Sequence, residues 1–215
     1  MTKIGRSQLR FEDDHLLRGQ GQYTDDISQN DDAVLIFVRS PHAAAKIVNI
    51  NLERAISISG VIAIFGWDEM RASNAGSFQP RTRFPGPDGG AMRTPPFTPL
   101  ADGVVRFCGE PILGIIATDR TSAELALEAV DIVFETNEAV INVENALMND
   151  APCVWDIYPD NRCFCVEKGD AASVQKASAK AAHVIKHQLK ISRVTAAAIE
   201  PRALRASFDY RSGKY

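Results

Sequence analysis

Between residues 73 and 102 the chain carries six prolines and four glycines, a density that forbids a regular helix and starves a strand of ladder hydrogen bonds. The stretch is predicted to be one long irregular connection, and connections of this length usually have a task or lack a fixed structure. The expectation is therefore an excursion that is mobile or covered by a partner. It separates two blocks of ordered pattern. Before it, residues 33–39 form a β-branched and aromatic run, residues 46–52 alternate Ile47, Asn49 and Asn51 against Val48, Ile50 and Leu52, and residues 61–65 form a further apolar run. These read as strands, with short helical turns at 53–57 and 67–72.

After the excursion, strands are predicted over 104–108 and 112–118. The runs 33–38 and 112–117 are too short to cross a bilayer and are expected to be buried. Thr121-Ser-Ala-Glu124 offers a capping box for a helix reaching Val130, with Leu125, Leu127, Ala129 and Val130 as its apolar stripe. Residues 131–135 resume as a strand and 139–143 extend the sheet. This strand, helix and strand order points to a mixed α/β or α+β domain spanning 1–150, with the polar residues 1–32 as an arm over its surface that Asp25 and Asp26 anchor. Residues 151–169, with two prolines and three cysteines, read as a linker. Asp170 is a suitable N-cap for a helix over 171–181, followed by a long strand at 183–193. Residues 207–215 read as a strand entering an Arg-Ser-Gly turn with no return strand. That edge is expected to recruit another strand, from a partner or from a second copy.

Composition removes several functional classes. A formal net charge of -3 and a pI near 5.8 leave no excess of cations for a phosphate backbone, so no nucleic-acid partner is expected. No apolar run approaches the roughly 20 residues of a membrane-spanning helix, and the polar start has no secretory apolar segment. A cytoplasmic protein with reduced cysteines follows as the expectation.

Local chemical motifs are equally sparse. His183 and His187 have a helical i, i+4 spacing, but the surrounding alternation fits a strand, which would hold the rings roughly 13 Å apart, too far to share a zinc ion. Cys153, Cys163, Cys165 and Cys108 match neither zinc nor iron-sulfur spacings. There is no nucleophile elbow or P-loop, and Gly19-Gln-Gly21 lacks the third glycine of a dinucleotide loop. No metal or catalytic residue is assigned, and residue reasoning alone stops at an α/β protein.

A family resemblance goes further. Ile4-Gly-Arg6, Arg10-Phe-Glu-Asp-Asp14, Leu17-Arg-Gly-Gln-Gly21, Tyr23-Thr-Asp-Asp-Ile27, Phe37-Val-Arg-Ser-Pro-His-Ala43 and Gly60-Val-Ile-Ala-Ile-Phe65 occur in the order found in large subunits of molybdenum hydroxylases, the xanthine dehydrogenase, aldehyde oxidase and carbon monoxide dehydrogenase group. Val105-Arg-Phe-Cys-Gly-Glu-Pro111 resembles that family's Gly-Glu-Pro turn. Together these cover the α/β hammerhead domain to about residue 147. Gly169-Asp170, Arg193-Val194 and Ile199-Glu-Pro-Arg202 resemble the entrance to the molybdopterin-binding region, of which 151–215 would hold only the start.

The resemblance implies an oxidoreductase complex. In it a molybdenum-pterin centre hydroxylates an aldehyde or N-heterocycle, or oxidises carbon monoxide, and electrons leave through 2Fe-2S clusters to FAD on partner subunits. The partners implied are a downstream molybdopterin-binding polypeptide, an iron-sulfur subunit and an FAD subunit. This chain alone is expected to hold no cofactor and to be inactive. Ser192, Arg193, Glu200 and Arg202 are the implied cofactor neighbours, with Ser192 standing where many relatives have an amide side chain. The competing reading is a stand-alone, non-catalytic interaction or assembly module with the hammerhead fold. Glu110, Arg39 and His42 are expected to fix turns rather than to touch substrate.

Overall fold

The computed structural model describes residues 4, 5, 7–27, 31–192, 194–198 and 200–215. In chain order the elements are helix α1 (Asp13–Leu17), strands β1 (Val34–Arg39) and β2 (Ala45–Asn51), helix α2 (Glu53–Ile56), strand β3 (Val61–Phe65), helix α3 (Trp67–Ala72), strands β4 (Val104–Val105) and β5 (Pro111–Ala117), helix α4 (Arg120–Ala129), strand β6 (Asp131–Thr136) and helix α5 (Ala171–Lys180). Single 3-10 turns lie at Thr24–Asp26 and Asn145–Leu147. Two compact units result, one of residues 33–184 and one combining 1–32 with 185–215.

In the 33–184 unit the odd-numbered strands form one sheet in the order β1-β5-β3, and the even-numbered strands form a second in the order β4-β2-β6. Every ladder is antiparallel, from Val34 opposite Ala117 to Asn51 opposite Asp131. The mixed α/β class holds. The order of β5, α4 and β6 is not a crossover within one parallel sheet, however, because α4 carries the chain from one sheet to the other.

Burial follows position in each sheet. β5 is the middle strand of its sheet, and its Ile112, Leu113, Ile115 and Ala117 are all buried. Gly114 lets the Phe65 ring lie flat across it: a methyl group there would sit 2.4 Å from Phe65 Cζ. β1, by contrast, is an edge strand, and although its residues are almost all apolar, Leu35 and Phe37 stay largely exposed while Val38 is buried. An apolar run fixes neither how many faces are covered nor which strand will stand at the edge.

Helix α4 packs against the odd-strand sheet and helix α2. Ala123 and Ala126 are fully buried, and Leu127, Ala129 and Val130 pack partly against Val38, Ala45, Val105 and Ile115. Leu125, expected in the buried stripe, is half exposed; the inward face runs through 123, 126, 127 and 130, the i, i+3, i+4, i+7 positions. Asp119, and not Thr121, caps the helix. Its carboxylate accepts from the Ser122 amide at 2.8 Å, from the Ser122 hydroxyl at 2.8 Å and from Thr118 at 3.0 Å. An Asp just before the first helical residue reaches the free Ser122 amide, whereas Thr121 already lies inside the first turn.

Four expectations are corrected. β4 stops at Val105 instead of reaching residue 108, because residues 107–110 turn back with the Glu110 amide on the Phe107 carbonyl at 3.2 Å. Residues 139–143 form no strand: after the Asn137 amide meets the Ala44 carbonyl at 2.9 Å, the chain has run past the start of β2 and has nothing left to pair with. Residues 183–192 keep the strand-like alternation but have no ladder partner among the described residues, and a lone strand gains no hydrogen bonds. Residue 193 lies outside the described residues. Finally, the turn at 210–213 does return, as a single bridge between Asp209 and Lys214.

Helix α5 forms as expected, capped by the Asp170 carboxylate on the Ser173 amide at 3.0 Å, and buries no residue. In the 1–32 and 185–215 unit no described residue is buried. Arg205 meets both oxygens of Asp32 at 2.7 and 3.2 Å, Arg18 meets Asp14 at 2.8 Å, and the Phe208 ring lies between those of Tyr210 and Tyr215. The Asp26 carboxylate accepts from the Tyr23 amide at 3.0 Å, an anchor within its own turn.

Candidate functional site

The most heavily bonded point of the sequence motifs is the Val105–Pro111 turn. It returns the chain from β4 to β5, and Gly109 at φ 88 takes the left-handed conformation that the reversal requires. The turn locks against the one between β1 and β2. The Ser40 amide donates to the Glu110 carbonyl at 2.9 Å, the Gly109 amide to the Ser40 carbonyl at 2.8 Å, and Arg39 Nη1 to the Gly109 carbonyl at 2.8 Å. Ser40 Oγ accepts from the His42 amide at 3.0 Å, and the His42 ring meets Phe134 edge-on at 4.9 Å.

Glu110 is only 3% exposed, and its carboxylate accepts from the Arg106 backbone amide. A buried carboxylate held by a backbone donor is committed to structure and offers no open face to a substrate. Arg39, His42 and Glu110 therefore fix turns, as expected from the sequence. Arg106 extends the lock outward. Its guanidinium lies 3.6 Å from the Trp155 ring centroid, Nε donates to the Val154 carbonyl at 3.1 Å and Nη1 to the Val104 carbonyl at 3.2 Å. Burial lowers its pKa, opposed by the nearby charges of Glu110, Asp156 and Asp102.

The sequence reading missed Trp155 and Asn161. Neither has a periodicity signal; the only cue is the Pro-Asp-Asn string at 159–161, a turn former in which asparagine tolerates positive φ. Asn161 takes φ 54. The other perturbed carboxylates are also structural. Asp119 is lowered by the Ser122 amide and then the Ser122 hydroxyl, and Asp170 and Asp209 by the hydroxyls and then the amides of their own turns. None faces a cleft.

The implied cofactor neighbours are not assembled. Ser192, Glu200 and Arg202 are exposed, and among the described residues no hydrogen bond or ion pair joins them to one another. Arg193, with Ile199 of the same motif, lies outside the described residues. The two best-formed hollows, of about 150 and 70 Å³, are lined by residues 138–152 and by residues near Ala43 and Val154, and include none of the four. Pockets for cofactor-sized molecules run to roughly 300 Å³ and more. Among the described residues no group of three His, Cys, Asp or Glu side chains could hold a metal ion. The described residues therefore do not by themselves form a site that fits a molybdenum-pterin group, and no chemical step is assigned to them.

Comparison with known proteins supplies what the geometry lacks. Residues 18–138 match the family described as aldehyde oxidase and xanthine dehydrogenase, a/b hammerhead domain. The nicotine 6-hydroxylase large subunit of Paenarthrobacter nicotinovorans is 31% identical over 96% of this chain and 24% of its own length. The carbon monoxide dehydrogenase large chain of Afipia carboxidovorans is 27% identical over 98% of this chain and 26% of its own. The crystal structure of quinoline 2-oxidoreductase from Pseudomonas putida 86 superposes with a TM-score of 0.59 at 32% identity, covering 69% of this chain and 18% of that one. The chain thus spans about a quarter of the length of the curated relatives it matches.

Proposed function

We infer that this chain, which belongs to the aldehyde oxidase and xanthine dehydrogenase a/b hammerhead family, works as the amino-terminal part of the molybdenum-binding side of a molybdenum hydroxylase complex. The observation that carries this reading is the extent of the similarity. The family match ends at residue 138, but the alignments to large subunits cover 96% and 98% of the chain and so run well beyond it.

In this reading residues 1–150 are the hammerhead domain with its arm, and residues 151–215 begin the molybdopterin-binding domain. The complex is an oxidoreductase acting on an aldehyde, an N-heterocycle or carbon monoxide. Molybdopterin is held mainly by a downstream polypeptide, and iron-sulfur and flavin groups sit on partner subunits. When bound, the molybdenum centre supplies the redox chemistry, while protein groups orient and polarise the reactants. Ser192, Arg193, Glu200 and Arg202 are the residues of this chain proposed to approach the cofactor once the partner polypeptide gathers them. Their exposure fits a surface that is completed in the assembly. The complex is proposed to be cytoplasmic; among the described residues no helix is long and apolar enough to cross a membrane.

The test is to purify the native complex through this chain, untagged, and to measure molybdenum, iron and flavin per mole of chain alongside turnover of aldehydes, N-heterocycles and carbon monoxide. Stoichiometric molybdenum with turnover of one of these classes is the expected result, with the isolated chain inactive. A stable native assembly lacking molybdenum and turnover would overturn the reading in favour of an interaction module.

A further inference from the structure

Residues 151–166 contain no helix or strand, and composition marks them as a linker, yet they are bonded along their length to the Pro-rich excursion and to the Val105–Pro111 turn. The Arg93 amide donates to the Cys163 carbonyl at 2.9 Å, and the Cys165 amide donates to the Pro85 carbonyl at 3.1 Å. The excursion folds back on itself at a bridge between Pro85 and Ala91, so residues 163–165 reach both arms of that fold. Side chains repeat the connection. Arg93 pairs with Asp160 at 2.6 Å, both partly shielded from solvent, and the Phe84 and Phe164 rings stack at 4.8 Å.

Asn161 organises the segment from within. In its left-handed backbone conformation the side-chain amide donates to the Ala146 and Pro152 carbonyls, both at 3.0 Å, and its oxygen accepts from the Val154 amide at 2.9 Å. That arrangement presents Val154 and Trp155 to Arg106. One side chain thus joins residues 146, 152 and 154, and the stack on Arg106 ties the result to the turn that Glu110 locks.

We propose that residues 151–166 are a clasp that closes over the excursion and pins both arms of its Pro85–Ala91 fold to the domain. The Phe78, Gly86 and Gly89 amides bond to carbonyls of the excursion itself, whereas the Arg93 amide finds its partner on the clasp. Residues 85–93 are therefore held when the clasp is shut and released when it opens, while the two sheets remain intact. This makes the excursion a conditional surface, set by a segment distant in sequence, and it holds whether or not the chain serves a molybdenum enzyme.

Hydrogen exchange read by mass spectrometry on the full chain tests it. The Arg93 and Cys165 amides are expected to be protected, together with those of β5. Asn161→Gly keeps the left-handed backbone and deletes the three side-chain bonds; it is expected to speed exchange at Arg93 and Cys165 by about tenfold or more, with β5 unchanged. If Asn161→Gly also loosens β5, Phe164→Ala is read in the same way and decides. Free-peptide exchange at Arg93 and Cys165 in the unaltered chain, or unchanged protection there in the deciding variant, overturns the clasp.

Discussion

Replacing Glu110 by alanine separates a structural carboxylate from a catalytic one. The side chain is 3% exposed and holds the Arg106 amide, so its loss removes a charge-assisted hydrogen bond and leaves a backbone donor without a partner in a buried place. These two effects together are expected to cost about 2–4 kcal/mol. In a domain of this size that lowers Tm by roughly 5–15 °C. Glu110→Gln keeps an acceptor at the same reach and loses only the charge, so a smaller cost of about 1 kcal/mol is expected. Urea unfolding followed by tryptophan fluorescence is the assay, since Trp155 lies on Arg106 next to the altered turn and Trp67 is buried. An alanine variant within about 0.5 kcal/mol of the unaltered chain, the spread of ordinary surface substitutions, would refute the argument.

Gly114→Ala forces a methyl group against the Phe65 ring at 2.4 Å and is expected to destabilise by about 1–3 kcal/mol; the additional change Phe65→Leu should restore part of that loss in the same urea titration. The Asp119 carboxylate is held below its usual pKa of 3.8 by the Ser122 amide first and the Ser122 hydroxyl next, so its stabilisation is present above that value and is lost as pH falls through the lower folded pKa. Helix content of Asp119→Ala and of the unaltered chain, compared by circular dichroism, should accordingly differ at pH 6 and converge toward pH 2; a difference that persists at the lowest pH contradicts the assignment.

The sequence showed the elements clearly and their partners poorly. Residues 34–39, 45–51, 61–65 and 111–117 form strands close to where the apolar runs placed them, because β-branched runs bounded by turn residues leave few alternatives. It could not show that 33–38 is an edge strand or that 139–143 lies beyond the reach of β2, since pairing is settled by residues far away in the chain. Helix α4 shows the same limit on a smaller scale. Its span was legible, but its cap went to Asp119 through bonds to the neighbouring Ser122 and Thr118, and its buried face excluded Leu125, which is decided by what the helix packs against. At the site, the Gly-Glu-Pro turn was legible through the family resemblance, and Gly109 and Pro111 are residues that any tight turn uses. The clasp was not, because Trp155, Asn161 and Phe164 act through contacts with residues 106, 146 and 84 that no local pattern announces.

The parity of the strands has a kinetic consequence. Since odd strands pair only with odd and even with even, no two consecutive strands form a hairpin, and the ladder closest in sequence joins Phe65 to Gly114. Every rung of the two sheets therefore closes a long loop before any contact rewards it, and such topologies fold slowly, in milliseconds to seconds. During synthesis the first three strands emerge with nothing to pair with, and the odd sheet waits for β5, which supplies both of its ladders. Assembly of the unit is thus expected to be a single late event, with the growing chain exposing the apolar β1 run until residue 117 has left the ribosome.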